Sequence, residues 1–240
     1  MMVPFTVSFG EEFNRFPLIV PLVALSTAAL LPGELLSVAL TENQYQKILE
    51  NKMELYKFVA VGNLRSEKKL EKKLEKKLDV HPILGLGQIV AMDFNQEGQR
   101  MMVMGVHRIQ IKKFFPGTSC PMIEIERVTD YFSETTPSIL NILEQEIIHS
   151  AKKFLFVQEN TWTHQNESMS PDFIDTLEVE MMPLGELCDA IAAFFAFDPA
   201  EKQMLLSELD IVHRAEKLLF ILHFRLRQDF LGQKNSTLLS

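Results

Sequence analysis

The chain has 240 residues, enough for one large domain or two small ones, and its 47% hydrophobic and 23% charged residues exclude wholesale disorder, a collagen-like repeat and a multi-span membrane protein. Lys and Arg number 24 against 32 Asp and Glu, and the formal charge of -8 argues against general nucleic-acid binding, a local basic patch aside. The two cysteines, Cys120 and Cys188, form no CxxC pattern, which suggests neither a disulfide framework nor a structural zinc site and fits a reducing cytoplasm.

The stretch FPLIVPLVALSTAALLPG, from Phe16 to Gly33, is uncharged and resembles a signal-peptide core or a short membrane span. Glu11 and Glu12 beside a single Arg15 oppose the basic start of a secretory leader. Pro17, Pro21 and Pro32 interrupt a run already shorter than the roughly 20 apolar residues that a bilayer needs. Buried strands are therefore the favoured reading, with no membrane partner. A helix is predicted over Thr41–Asn51, with Thr41 as N-cap, Glu42 in the first turn, and Tyr45, Ile48 and Leu49 on one face. YKFVAVGN then returns to strand.

Between Leu64 and Leu78 the tetrad EKKL repeats, with Leu70, Leu74 and Leu78 four residues apart. This thin leucine stripe drifts around a helix and cannot pack deeply. The segment 64–79 is read as a solvated helical insertion or, alternatively, as a net-positive patch for acidic partners or anionic lipid. From Leu84 the period becomes two, in LGLGQIVAMDF, RMMVMGVHRIQIKKFF and MIEIERVTDYF, separated by turns at Asn95–Gly98 and Pro116-Gly117. These form a three-strand meander, and with the earlier strands an antiparallel sheet closing into a small barrel removes exposed edges. After Ser133 the pattern is helical. One helix starts at Pro137 with Ile139, Leu143, Ile147 and Phe154 apolar, and a second is MPLGELCDAIAAFFAF. Asp198-Pro199 opens a third, and a fourth runs from Ile211 to about Phe230 before a frayed tail.

No GxxxxGKS/T, GxSxG, HExxH or strand-to-helix GxGxxG occurs, so no catalytic residue, cofactor or metal is assigned. Glu146/His149 and Asp210/His213 have the ExxH and DxxH spacing of carboxylate-bridged metal bundles, but the second helix offers no matching carboxylates beside apolar positions. His107 and Arg108 alternate in a strand, so one of them is expected to face solvent in a structural role. Phe114 and Phe115, before Pro116-Gly117, are candidate protein-binding residues, although two Phe at a strand end also suit core plus flank. Trp162, alone in the polar linker NTWTHQNESMSPD, either plugs the interface between the halves or belongs to a binding loop.

The order of these pieces, from about Phe16 to Arg227, resembles the substrate-binding domain of ATP-dependent Lon proteases, including its stand-alone bacterial form. The resemblance rests on Pro32, Gly33, Glu42 and Tyr45 at the opening, on Gly85, Gly87, Gly98, Gly105 and Arg108 in the strands, and on Asp189, Ala192, Lys202, Gln203, Leu205, Leu206, Arg214 and Ala215 near the end. Ala and Leu stand where an aromatic usually precedes the Pro-Gly turn, and the EKKL insertion is not a family feature. The resemblance implies an α+β protein: a PUA-like β-barrel subdomain carrying one helix over residues 1–133, then a helical bundle subdomain over 134–240. It further implies a cytoplasmic, non-enzymatic module without ATPase or protease parts. Its partners would be unfolded or exposed polypeptide segments, or a protease or chaperone, with RNA binding by a PUA-like barrel as the alternative.

Overall fold

The structure, a computed structural model, describes residues 19–54, 58–64, 79–95, 98–115, 120–161, 182–195 and 197–237. Among these residues six strands come first: β1 (Ile19–Leu25), β2 (Leu35–Leu40), β3 (Phe58–Asn63), β4 (Ile83–Asn95), β5 (Gly98–Phe115) and β6 (Met122–Arg127), with helix α1 (Glu42–Glu54) between β2 and β3. Four helices follow among the described residues: α2 (Pro137–Thr161), α3 (Leu184–Phe194), α4 (Pro199–Ser207) and α5 (Ile211–Thr237). The EKKL repeat, the turn at Pro116-Gly117, most of the polar linker and Trp162 lie outside the described residues.

The β4-β5-β6 meander forms as its period-two pattern and polar turns predict, antiparallel throughout. The long strand β5 organises the sheet. One edge pairs with β4, and the other pairs first with β2, over Gln99–Met104, and then with β6, over Ile109–Phe115. Since β4 also pairs with β3, β3 with β1 and β1 with β6, hydrogen bonding runs in a ring from β5 back to β5, with β2 beside it. One expectation is corrected: β1 and β3 are parallel, so the sheet is mixed. The chain between them holds β2 and α1, long enough for the crossover that parallel neighbours require.

Strands β1 and β3 read as unbroken apolar runs because both faces are buried. Alternate residues divide between two clusters, one with Val23, Val59, Val61 and Val103, the other with Val20, Leu22, Ala60 and Leu84. The apolar stretch from Phe16 is thus β1 followed by a buried loop carrying Ala29, Leu30 and Leu31, rather than strand throughout. That loop lies so close to the sheet that a Cβ on Gly105 would stand 1.9 Å from the Leu31 carbonyl oxygen. Gly33 turns the chain at φ +79, where its N–H donates to the Gly105 carbonyl at 2.8 Å. A third cluster joins the halves, with Ala29, Leu31 and Ile83 packing among Ile147, Phe195, Leu206 and Leu218 of the helices.

The helices start where their caps stand. Thr41 and Gln44 form a reciprocal capping pair on α1, the Gln44 N–H donating to Thr41 Oγ1 at 3.3 Å and the Thr41 N–H to Gln44 Oε1 at 3.0 Å. Pro199 opens α4, and the Asp198 N–H donates to Glu201 at 2.9 Å. In α2 Leu143, Ile147 and Phe154 are buried as their spacing predicts, whereas Ile139 is exposed. Helix α5 continues to Thr237, into the tail expected to fray.

Candidate functional site

The polar residues that stand out in the sequence meet at the junction between sheet and helices. Arg108 of β5 donates to both carboxylate oxygens of Asp189 on α3, at 2.5 and 2.7 Å, and through Nε to the Leu206 carbonyl at 3.1 Å. Arg214 of α5 lies 2.6 Å from Asp130, which follows β6, and donates through Nε to the Glu208 carbonyl at 2.9 Å. Two guanidiniums thus balance two carboxylates. Burial works against the charge on Arg108, but Asp189 beside it prevails and holds its pKa above the usual arginine value. Gln203 donates to the Ile83 carbonyl at 3.0 Å, Asn63 to the Pro199 carbonyl at 3.1 Å, and Lys202 pairs with Glu34 at 2.5 Å. This buried network clasps the halves and balances its charges by ion pairing, which suits a structural role, although Arg214 Nη1 and Nη2, Asp130 Oδ1 and Gln203 Oε1 are buried without a hydrogen bond.

The clasp corrects one expectation. Contacts with the helices bury Arg108 at 5% exposure, and His107, on the other side by alternation, is half-buried with its Nε2 out of solvent, so neither of the pair is fully exposed. Burial, with Arg127 and Arg108 nearby, pushes the His107 pKa down to about 4. Burial also pushes the Cys188 thiol up to about 12 and the Cys120 thiol to about 11. His213 lies 3.3 Å from Asp210, and Glu146 and His149 are both exposed on α2. Among the described residues no three His, Cys, Asp or Glu side chains converge on a metal position, and no helix is long and apolar enough to cross a membrane.

Phe114 is half-buried at the end of β5, packed against the cluster of Ile123 and Ile125. Phe115, opposite Met122, carries the Lys113 ammonium 4.8 Å from its ring centroid. The third sequence candidate, Trp162, lies outside the described residues.

A different surface, none of whose residues the sequence singles out, combines exposed apolar side chains with backbone groups left unpaired among the described residues. β2 ends the strand order and is hydrogen-bonded along one edge only among the described residues. The Glu34 carbonyl accepts from the Gly105 N–H, so by alternation Leu36, Val38 and Leu40 bond β5, while the N–H and C=O groups of Leu35, Ser37 and Ala39 point to the outer edge. Cross-strand rows place Leu35 beside Met104 and Gln88, and Ser37 beside Met102 and Ala91. Val90 is the extra residue of a bulge in β4, and both Leu35 and Val90 are about half exposed, at 51% and 52%. The result is an apolar sheet face with two half-buried methionines beside an open edge.

The family model for the substrate-binding domain of ATP-dependent protease La (LON) matches residues 19–223. The chain belongs to the Lon substrate-binding domain family. A Lon protease of Desulfosudis oleivorans is 25% identical over 227 residues, 92% of this chain but 26% of that protein, so the chain spans about a quarter of the relative's length. The N-terminal domain of a Mycobacterium avium complex Lon protease has the same fold, with a TM-score of 0.59 at 18% identity, covering 85% of this chain and 98% of that one. A Lon N-terminal domain protein from Xanthomonas campestris gives 0.54 at 15% identity, covering 84% and 96%. Residues of the Lon-like motifs, among them Arg108, Asp189, Lys202, Gln203 and Arg214, are those of the clasp. In this chain they hold the domain together, and the outer edge of β2 stays open among the described residues.

Proposed function

We propose that the chain is a non-enzymatic protein-binding module that takes unfolded or exposed polypeptide segments by strand addition along β2, without restriction to a single sequence, as an accessory to proteolysis. The observation that carries this reading is the outer edge of β2, unpaired among the described residues, beside Leu35, Met102, Met104 and Val90. An extended peptide would complete the backbone hydrogen bonds of Leu35, Ser37 and Ala39, and its alternate side chains would lie on the apolar face. Methionine adapts its shape to varied side chains, which suits a site that must accept many sequences. In the same reading the ring β5-β4-β3-β1-β6 is a PUA-like barrel, 1–133 and 134–240 are its two subdomains, and Phe114, Phe115 and Trp162 are kept as further candidate protein-binding residues, Phe114 and Phe115 at the end of β5 away from β2. A cytoplasmic location belongs to it as well and suits two free, buried thiols.

The test is binding of the full chain to a carboxymethylated, permanently unfolded polypeptide, with a folded protein as control. Ser37→Pro removes an outward N–H, and Leu35→Ser with Met104→Ser removes apolar contact; each is expected to weaken binding about tenfold while melting stays cooperative. Binding no stronger than to the folded control, or binding untouched by both variants, overturns the proposal. Salt-dependent retention of RNA in place of polypeptide would favour the PUA-like RNA-binding alternative.

A further inference from the structure

Helices α2 and α5 run side by side in the same direction: Ser133 bonds Asp210 at their beginnings, and Ser150 Oγ lies 3.0 Å from His223 Nε2 further along. At 100° per residue, Glu146, Lys153 and Ile142 fall about 40°, 60° and 80° to one side of Ser150, while the buried Leu143, Phe154 and Ile147 fall to the other. On α5, Glu216, Arg227, Phe220 and Phe224 fall about 20°, 40°, 60° and 100° from His223 in the opposite sense, away from the buried Leu219, Leu226 and Leu222. For parallel helices, opposite rotation means the same side. The seam therefore has one solvent face, with Ile142 57% exposed, Phe156 68% and Phe220 69%.

The side chains on this face are ordered along it. Acid comes first, at Glu146 and Glu216, and base last, at Lys153 and Arg227, with the Phe220–Phe224 pair, stacked at 6.3 Å, between; Lys217, at the rim about 120° from His223, is neutralised by its ion pair with Glu208. The midpoint of Glu146 and Lys153 on α2, that of Glu216 and Arg227 on α5, and that of the two Phe all fall within about two residues, ~3 Å, of the level of the Ser150–His223 contact. Ile142 and Phe156 are centred there as well. A surface that is symmetric in apolar groups and antisymmetric in charge about one level complements itself when reversed.

We propose that this face is an interface between two copies of the chain, related by a two-fold axis lying in the contact plane and crossing α2 and α5 at right angles near Ser150 and His223. The helices then meet antiparallel, α2 on α2 and α5 on α5, as a four-helix bundle. Glu146 faces the partner's Lys153, Glu216 the partner's Arg227, Ile142 the partner's Phe156, and the Phe pairs meet at the centre. An axis along the helices is disfavoured, because it would bring Glu146 against the partner's Glu216 and Lys153 against the partner's Arg227.

Sedimentation of the full chain across about 1 to 200 µM tests this. A concentration-dependent dimer is expected, and Glu146→Lys or Lys153→Glu alone should raise its dissociation constant about tenfold, since each change occurs twice in the dimer. The double variant E146K/K153E restores the opposite-charge pairs and should return the constant to within about threefold of the original. Phe220→Ser should weaken the dimer while the circular dichroism and melting stay unchanged. A chain that remains monomeric throughout overturns the proposal, as does a dimer indifferent to single reversals or a double variant no tighter than the singles. So does a monomer whose binding to carboxymethylated polypeptide is lost on Phe220→Ser, because the face would then hold substrate. The β2-edge variants leave this dimer intact, so the two proposals fail separately.

Discussion

Arg108 has two carboxylates within reach, with Asp189 held in two hydrogen bonds and Asp130 3.7 Å away. Removing Asp189 would leave a guanidinium buried without its main partner, and Asp189→Ala is expected to cost about 3–5 kcal/mol in urea unfolding. Replacing Arg108 and Asp189 together by apolar residues should cost less than the sum of the single changes, because no charge is then stranded. Gly105→Ala would drive a Cβ into the Leu31 carbonyl oxygen at 1.9 Å, backbone against backbone, and about 3 kcal/mol of destabilisation is expected. His107 supplies a pH dependence. Unfolded, it takes a proton near its ordinary 6.5, whereas the native side chain does so only near 4. Between those values the unfolded state binds more protons, so stability falls as pH drops from about 6.5 towards 4. Glu208 and Asp210 are held below their ordinary 4.5 and 3.8, so their contributions are lost only at lower pH. Urea midpoints measured from pH 7 to 5 should therefore decline in the native sequence and flatten in His107→Gln.

At the scale of elements, local signals were legible wherever they were local in origin. The Thr41 cap of α1, the Pro137 and Pro199 starts, and the meander from Ile83 to Arg127 follow from side-chain chemistry within a few residues. Thr41→Ala should cost about 1 kcal/mol by thermal melting, since Gln44 loses its hydrogen-bond acceptor at the helix start. Ile139 was misjudged because spacing gives a helix one apolar face without saying whether a neighbour reaches its first turn. The parallel pairing of β1 with β3 had no local signal, because strand direction depends on where the intervening β2 and α1 lie. The β2 edge was equally silent: LLSVAL reads as any short strand, and its openness depends on which neighbours are present.

Across the whole molecule, the shared cluster of Ala29, Leu31 and Ile83 with the helices, together with the clasp, ties the two halves. A single unfolding transition seen alike by far-ultraviolet and near-ultraviolet circular dichroism is expected, and Asp189→Ala should make the two probes diverge. The amino-acid order alone was enough to establish a strand-rich half before a helical half and a likeness to Lon substrate-binding domains, because periodicity, caps and motif order are properties of short segments. The roles of the motif residues depended on folding. Arg108 and Asp189 are 81 positions apart and Glu34 and Lys202 are 168 apart, so what reads along the chain as a set of candidate functional groups becomes a buried structural clasp. Only packing decides which charges lose their water and which strand edge keeps it, because burial is a property of neighbours distant in sequence.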